Sequence, residues 1–141
     1  MVGPAWKACQ VTGLDTNVLV RYVTQDDHRQ LPLATSLLES LSAEAPGFVP
    51  MVVLIERVGV LSGSCGLNRL QVAAVLSTLL RSKELVVDQA EWVAQALIRY
   101  TANGAEFADL LIERLSAAAG CSATKTFDAV AVKAAGMTLV R

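Results

Sequence analysis

Histidine and cysteine are scarce in this 141-residue sequence, which has one histidine and three cysteines. Cys9, Cys65 and Cys121 are widely spaced and form no C-x-x-C pair, so that neither a disulfide framework nor a zinc site is indicated. The histidine, His28, lies in the polar segment QDDHRQ, and no G-x-S-x-G motif occurs, which disfavours a Ser-His-Asp hydrolase. A reducing compartment, the cytoplasm, is therefore expected.

The sequence also lacks long hydrophobic runs and an excess of basic charge. Apolar residues make up 53% of the chain, but the densest run, MVVLI at 51–55, stops at Glu56 and is far shorter than the ~18 residues of a membrane span. With 12 basic and 13 acidic residues, an indiscriminate polyanion binder is disfavoured, although a local basic patch could still bind nucleic acid. We expect no membrane partner, and the high apolar fraction predicts an oligomer.

The length predicts one domain, residues 11–141, after a loose N-terminal extension, residues 1–10, which has no signal-peptide pattern. From residue 11 onward, short strand-like segments alternate with helix-like segments. This order predicts an α/β fold with a central parallel sheet of about four to five short strands and helices on both faces. The predicted strands are VTGL at 11–14, FVP at 48–50, ELVV at 84–87, SATKTF at 122–127 and MTLV at 137–140. Ligands of such folds bind beyond the carboxyl ends of the strands.

Four acidic residues occupy positions that could serve such a site. Asp15 and Asp128 each follow a predicted strand, while Glu56 interrupts an apolar helix and should be buried. Asp109 lies in the first turn of a helix within FADLLI. Because aspartate is a favoured residue at helix N-termini, a capping role remains an alternative for Asp15, Asp109 and Asp128.

A convergence of the four carboxylates would require a counter-charge. Neighbouring pairs about 4 Å apart repel by about 4 kcal/mol each at an effective dielectric constant of about 20. Several such pairs would rival the stability of a domain, roughly 5 to 15 kcal/mol, unless a divalent cation or a proton neutralised them. Hard oxygen donors favour Mg²⁺ or Mn²⁺. Such ions activate water and stabilise the departing oxygen in phosphodiester hydrolysis.

The segments around these carboxylates are GLDTNVLVRY with Asp15, VVLIERVGVL with Glu56, EFADLLI with Asp109 and TKTFD with Asp128. In this order, from about Val11 to the last residue, they resemble the PIN-domain ribonucleases, specifically the VapC-type toxins of prokaryotic toxin–antitoxin pairs. The resemblance implies a PIN-like three-layer fold and an endoribonuclease that depends on Mg²⁺ or Mn²⁺. It also implies that the four acidic residues are the catalytic, metal-binding cluster.

The same resemblance implies supporting roles for Asn17 and Thr126, which would hold ligands or water. Their other interpretations are an ordinary first-turn residue and an ordinary strand residue. RNA is the implied substrate, and a cognate antitoxin that covers the acidic groove is the implied partner of a homodimer. Arg21, one helical turn beyond Asp15, is the best candidate for a contact with an RNA phosphate.

Two other classes of function remain open. One is a non-catalytic regulatory or assembly module whose acidic residues cap helices. The other is a metal-dependent phosphatase or a receiver-like phosphoacceptor, because both also place an aspartate after a strand. A haloacid-dehalogenase-type phosphatase would carry a second aspartate two residues after Asp15, where this chain has Asn17.

Overall fold

The computed structural model describes residues 11–15, 17–18, 29 and 31–141. The predicted extension at residues 1–10 and the candidate Arg21 lie outside the described residues, as does His28. The strands in the described part are β1 (Thr12–Gly13), β2 (Gly47–Val49), β3 (Leu85–Val87), β4 (Lys125–Thr126) and β5 (Thr138–Leu139). The helices there are α1 (Leu31–Ser40), α2 (Met51–Ser62), α3 (Arg69–Arg81), α4 (Ala90–Ala102), α5 (Phe107–Ala118) and α6 (Ala129–Ala135).

All five strands pair in parallel, in two separate sheets. The first sheet has the order β1-β2-β3, with Gly47 opposite both Thr12 and Leu85. The second sheet pairs β4 with β5, with Lys125 opposite Thr138. The prediction of a mixed α/β fold with short parallel strands is confirmed.

The strands do not join in the single central sheet that the sequence predicts. The described β1 and β4 each contain two residues, so an edge between them would gain few ladder hydrogen bonds. Each is paired on one side only, β1 with β2 and β4 with β5. The division leaves Asp15 and Asp128 after strands of different sheets.

Local signals in the sequence fix several helix ends. Asn68 and Gln71 form a reciprocal capping box at the start of α3, in which each side chain bonds the backbone N–H of the other residue. At the end of α6, Gly136 takes the left-handed backbone conformation, with φ of 77°. Gly47 packs closely against Leu14: a Cβ atom there would lie 2.6 Å from Cδ1 of Leu14, whose side chain would have to shift.

The core lies between the first sheet and the helices that pack around it. Val49 and Val87 bring the strands into this core, and Phe107 of α5 is buried against Tyr100 of α4 with the two rings edge to face at 5.8 Å. α3 contacts β3, α4 contacts α3 and α5, and α6 contacts β4 and β5. Among the described residues, no helix is long and apolar enough to cross a membrane.

Candidate functional site

The carboxyl edge of the first sheet carries two aspartates. Asp15 is separated from the end of β1 by one residue, Leu14, and Asp88 follows β3 directly. The carboxylate of Asp88 accepts a hydrogen bond from the backbone N–H of Met51 at 3.4 Å, at the start of α2. Because Pro50 at the N-cap of α2 makes no side-chain cap, Asp88 supplies the missing acceptor.

Asp15 belongs to a polar chain of contacts that reaches α2. The amide of Asn17 donates to Oδ2 of Asp15 at 3.5 Å, and its carbonyl accepts a hydrogen bond from Nη2 of Arg57. The same Nη2 lies 4.0 Å from Oε1 of Glu56. Thus Asn17 lies beside Asp15, as the sequence predicts, and a cation of the chain lies between Asn17 and Glu56.

The prediction that Glu56 is buried is wrong. Its side chain is 65% exposed, whereas that of Arg57 is 21% exposed. The buried face of α2 is formed by Met51, Leu54, Val58 and Leu61, whose spacing follows the helical period, and Glu56 lies off this face. Burial therefore gives no reason for Glu56 to need a metal, although its carboxylate remains accessible to one.

Asp128 is both a helix cap and a neighbour of another carboxylate. Its Oδ1 accepts from the backbone N–H of Val130 at 2.8 Å, which caps α6. The backbone N–H of Asp128 donates to Oγ1 of Thr126 at 3.0 Å, so Thr126 fixes the turn that leads from β4 into α6. The cap uses one of the two carboxylate oxygens of Asp128, so capping and ligand binding are compatible at this residue.

Asp109 has a perturbed proton affinity. Partial burial raises the pKa of its carboxyl group above the ordinary value of 3.8, and the negative charges of Asp128 and Glu106 raise it further. A carboxylate that merely complements the N-terminus of a helix would have its pKa lowered by the helix dipole. Desolvation and like charge thus outweigh the effect of the helix dipole on the pKa of Asp109. Such a pKa is typical of a carboxylate whose charge a bound cation would stabilise.

The structure links the four predicted residues two by two. Asn17 and Arg57 connect Asp15 with Glu56, and charge repulsion connects Asp109 with Asp128. α5 contacts both α2 and α6, so the helices that carry the two pairs are packed together. Within residues 11–15, 17–18, 29 and 31–141, no group of three or more histidine, cysteine, aspartate or glutamate side chains is arranged to hold a metal ion.

Three residues of this region were missed by the sequence reasoning. Asp88 follows the third predicted strand directly, so the rule that selected Asp15 could have found it. Glu106 is the N-cap residue of α5 and lies close enough to Asp109 to raise its pKa. The sequence alone disfavours a pairing of Arg57 with Glu56, because adjacent residues of a helix do not share a face. Its long side chain nevertheless reaches Asn17, a contact between distant residues that no local pattern signals.

Comparison of the chain with models of known protein families, with curated proteins and with solved structures gives no match. The function must therefore be inferred from the side chains themselves.

Proposed function

We propose that this protein is a Mg²⁺- or Mn²⁺-dependent endoribonuclease that hydrolyses RNA phosphodiester bonds, with a PIN-like three-layer domain. The observation that carries the proposal is the pair Asp109 and Asp128. Burial and the charge of Asp128 raise the pKa of Asp109, so the folded chain holds two neighbouring carboxylates at a cost that a bound cation would offset.

The donor chemistry of this pair fits Mg²⁺. Mg²⁺ is usually bound through one or two carboxylates and keeps several waters, with phosphate oxygens of the substrate completing its coordination. Asp109 and Asp128 would hold the ion, and Asp15 and Glu56 are proposed as the remaining acidic residues of the site. A bound ion would supply an activated water and stabilise the departing oxygen of the phosphodiester.

The other polar residues would orient the acidic residues or contact the substrate. Thr126 orients the backbone of Asp128 through its hydroxyl group, and Asn17 donates to Asp15. Arg57 donates to Asn17 and lies beside Glu56, where it offers a positive charge to a phosphate group.

The hydrogen bonds of Asp128 and Asp88 favour a second candidate. Both residues satisfy backbone N–H groups at helix N-termini, as the acidic residues of a non-catalytic regulatory or assembly module would. The raised pKa of Asp109 favours the nuclease, because a residue selected to stabilise its helix would not be placed against two like charges.

The test is cleavage of a mixed RNA substrate by the purified protein in Mg²⁺, in Mn²⁺ and in EDTA. Cleavage should require the metal, and Asp109→Asn and Asp128→Asn should each lower the rate by two orders of magnitude or more. Glu91→Gln is the matched control, since Glu91 is an exposed acid in the first turn of α4 and should be dispensable. Cleavage that persists in EDTA would refute the metal-dependent mechanism.

Calorimetry separates the nuclease from the capping module. A Mn²⁺ titration should show binding to the wild-type protein that Asp109→Asn weakens and Glu91→Gln leaves unchanged. If no heat of binding is measured and no RNA is cut, the acidic residues are caps and the regulatory module is the better interpretation.

We also propose a cytoplasmic homodimer whose activity is blocked by a cognate antitoxin. Large apolar side chains remain exposed on several helices, among them Leu33 of α1, Val52 of α2 and Leu70 of α3. Light scattering of the purified chain should give the mass of a dimer. Expression without the neighbouring reading frame should arrest growth, and co-expression with it should restore growth.

A further inference from the structure

The β4–β5 ribbon presents one face that other parts of the described chain leave exposed. Lys125 lies opposite Thr138, and the backbone N–H of Val140 donates to the carbonyl of Thr126 at 2.8 Å, so the pairing continues one residue beyond β5. Phe127 follows β4 directly, two residues after Lys125. Lys125 and Phe127 are both exposed, while Thr126 between them is partly buried.

Phe127 is the most exposed of the large hydrophobic side chains in the described part of the chain, at 84%. An aromatic ring in water is unfavourable unless a partner covers it. The ring is adjacent in sequence to Asp128, whose carboxylate belongs to the proposed site. Any group that stacks on Phe127 would therefore lie within about one nucleotide of that carboxylate.

A basic pocket lies between this ribbon and α6, and Lys125 is part of its lining. The pocket has a volume of about 390 Å³ and is lined by Lys125, Arg141, Thr138 and the apolar residues Val132, Met137 and Leu139. Two cationic side chains and a hydroxyl group at one pocket suit a phosphate group. In a chain with a net charge of −1, this concentration of positive charge is local.

We infer that this face is a nucleotide-binding platform, on which Phe127 stacks an unpaired base and Lys125 and Arg141 bind a phosphate of the same strand. The inference rests on the proposed nuclease for the identity of the polymer. An exposed aromatic side chain together with cationic side chains is the combination that proteins use to bind single-stranded nucleic acid. The platform would hold the RNA so that the next phosphodiester reaches Asp128.

The binding test uses a ten-nucleotide oligoadenylate that carries one 2-aminopurine, in EDTA so that no cleavage can occur. Base–aromatic stacking contributes enough that Phe127→Leu should weaken binding by about 5- to 100-fold and remove the fluorescence quenching of 2-aminopurine. Phe127→Trp should restore both signals. Lys125→Gln should weaken binding but leave the residual quenching at saturation unchanged, and Ile98→Ala, at a residue 70% exposed on α4, should change neither.

Unchanged affinity and quenching in Phe127→Leu would overturn the platform. If Phe127→Leu instead lowers the mass of the protein in light scattering while the RNA affinity is retained, the ring belongs to an interface between protein chains and the inference is wrong. The nuclease proposal fails separately: without metal-dependent cleavage but with quenching that depends on Phe127, the chain binds nucleic acid without cutting it.

Discussion

Nη2 of Arg57 donates a hydrogen bond to the side-chain carbonyl of Asn17, which lies 40 positions earlier in the chain. Asn17 in turn donates to Asp15, and Nη2 of Arg57 lies 4.0 Å from Glu56. The chain thus supplies its own cation at the place where the sequence predicts a metal. In addition, Nε of Arg57 is buried and has no hydrogen-bond partner in the part of the chain that the structure describes, so this guanidinium is only partly satisfied there.

Replacing Arg57 by Gln should therefore increase the affinity for Mn²⁺. Gln removes the charge that competes beside Glu56, and exposed ion pairs contribute about 0.2 to 1 kcal/mol, or roughly a 1.4- to 5-fold change in affinity. Calorimetric titration measures this change. Arg99→Gln is the control, because Arg99 pairs with Glu113 at 3.2 Å and contacts none of the four predicted residues. Weaker binding in Arg57→Gln would show that Arg57 supports the site and does not compete with the metal.

Asp15→Asn should retain the fold and lose activity. Asn can begin a helix almost as well as Asp and can still accept the hydrogen bond from Asn17. It removes the negative charge, so RNA cleavage should fall by orders of magnitude while the circular dichroism spectrum and the melting temperature stay close to those of the wild type. Cleavage at the wild-type rate would mean that Asp15 serves only the start of the following helix.

The raised pKa of Asp109 predicts how stability depends on pH. Its pKa is higher in the folded chain than in the unfolded chain, so the folded state binds the proton more tightly. This contribution to the free energy of unfolding is present below the ordinary pKa of 3.8 and is lost as the pH rises through the raised value. In metal-free buffer at pH 7, Asp109→Asn should consequently have a higher melting temperature than the wild type.

The difference in melting temperature between Asp109→Asn and the wild type should shrink as the pH falls towards 3.5, because the wild-type carboxyl group is then protonated. Glu91→Gln provides the reference for removal of an exposed first-turn charge from another helix. Adding Mg²⁺ at pH 7 should raise the melting temperature of the wild type more than that of Asp109→Asn. A variant that is less stable than the wild type at pH 7 would show that the helix dipole dominates at this position.

Local patterns in the sequence were sufficient for most elements and for part of the site. The 3.6-residue period of the apolar residues from Val72 to Leu80 predicts α3, and that from Val93 to Tyr100 predicts α4. The position of Asp128 directly after a predicted strand marks it as a candidate for the site. The burial of Glu56 was predicted from its apolar neighbours, but the helical period places it on the outer side of α2. The failure of this prediction shows that the position of a residue around the helix axis is a better guide to its burial than the hydrophobicity of its neighbours in sequence.

Pairing between distant segments could not be predicted in the same way. Nothing in the two residues of β4 indicates whether they pair with β1 or with β5, because such short strands carry little information about register. The hydrogen bond from Arg57 to Asn17 is equally non-local. The division into two sheets and the linkage of the carboxylates in two pairs both depend on such contacts, and both required the structure.

Arg69 connects the start of α3 with the end of α4, and its removal should destabilise the fold without affecting the site. Its guanidinium lies 3.8 Å above the ring of Tyr100 and donates to the backbone carbonyls of Tyr100, at 2.8 Å from Nη2, and of Ala105. The carbonyl of Tyr100 lies in the last turn of α4 and that of Ala105 follows the helix, so neither has a partner within α4. Hydrogen bonds to charged groups contribute about 1.5 to 3 kcal/mol each, and the stacking adds to them.

Arg69→Met keeps much of the side-chain length but removes the donors, and should lower the free energy of unfolding by about 2 to 4 kcal/mol. Arg69→Lys should recover only part of this loss, since an ammonium group is not planar and cannot stack on the face of the Tyr100 ring while it donates to both carbonyls. Urea denaturation followed by circular dichroism measures both variants. Arg81→Met, at an exposed position in the last turn of α3, is the control and should change the stability by less than about 0.5 kcal/mol. If Arg69→Met proved as stable as Arg81→Met, the two carbonyls would be solvated at no cost and Arg69 would not stabilise the junction of α3 and α4.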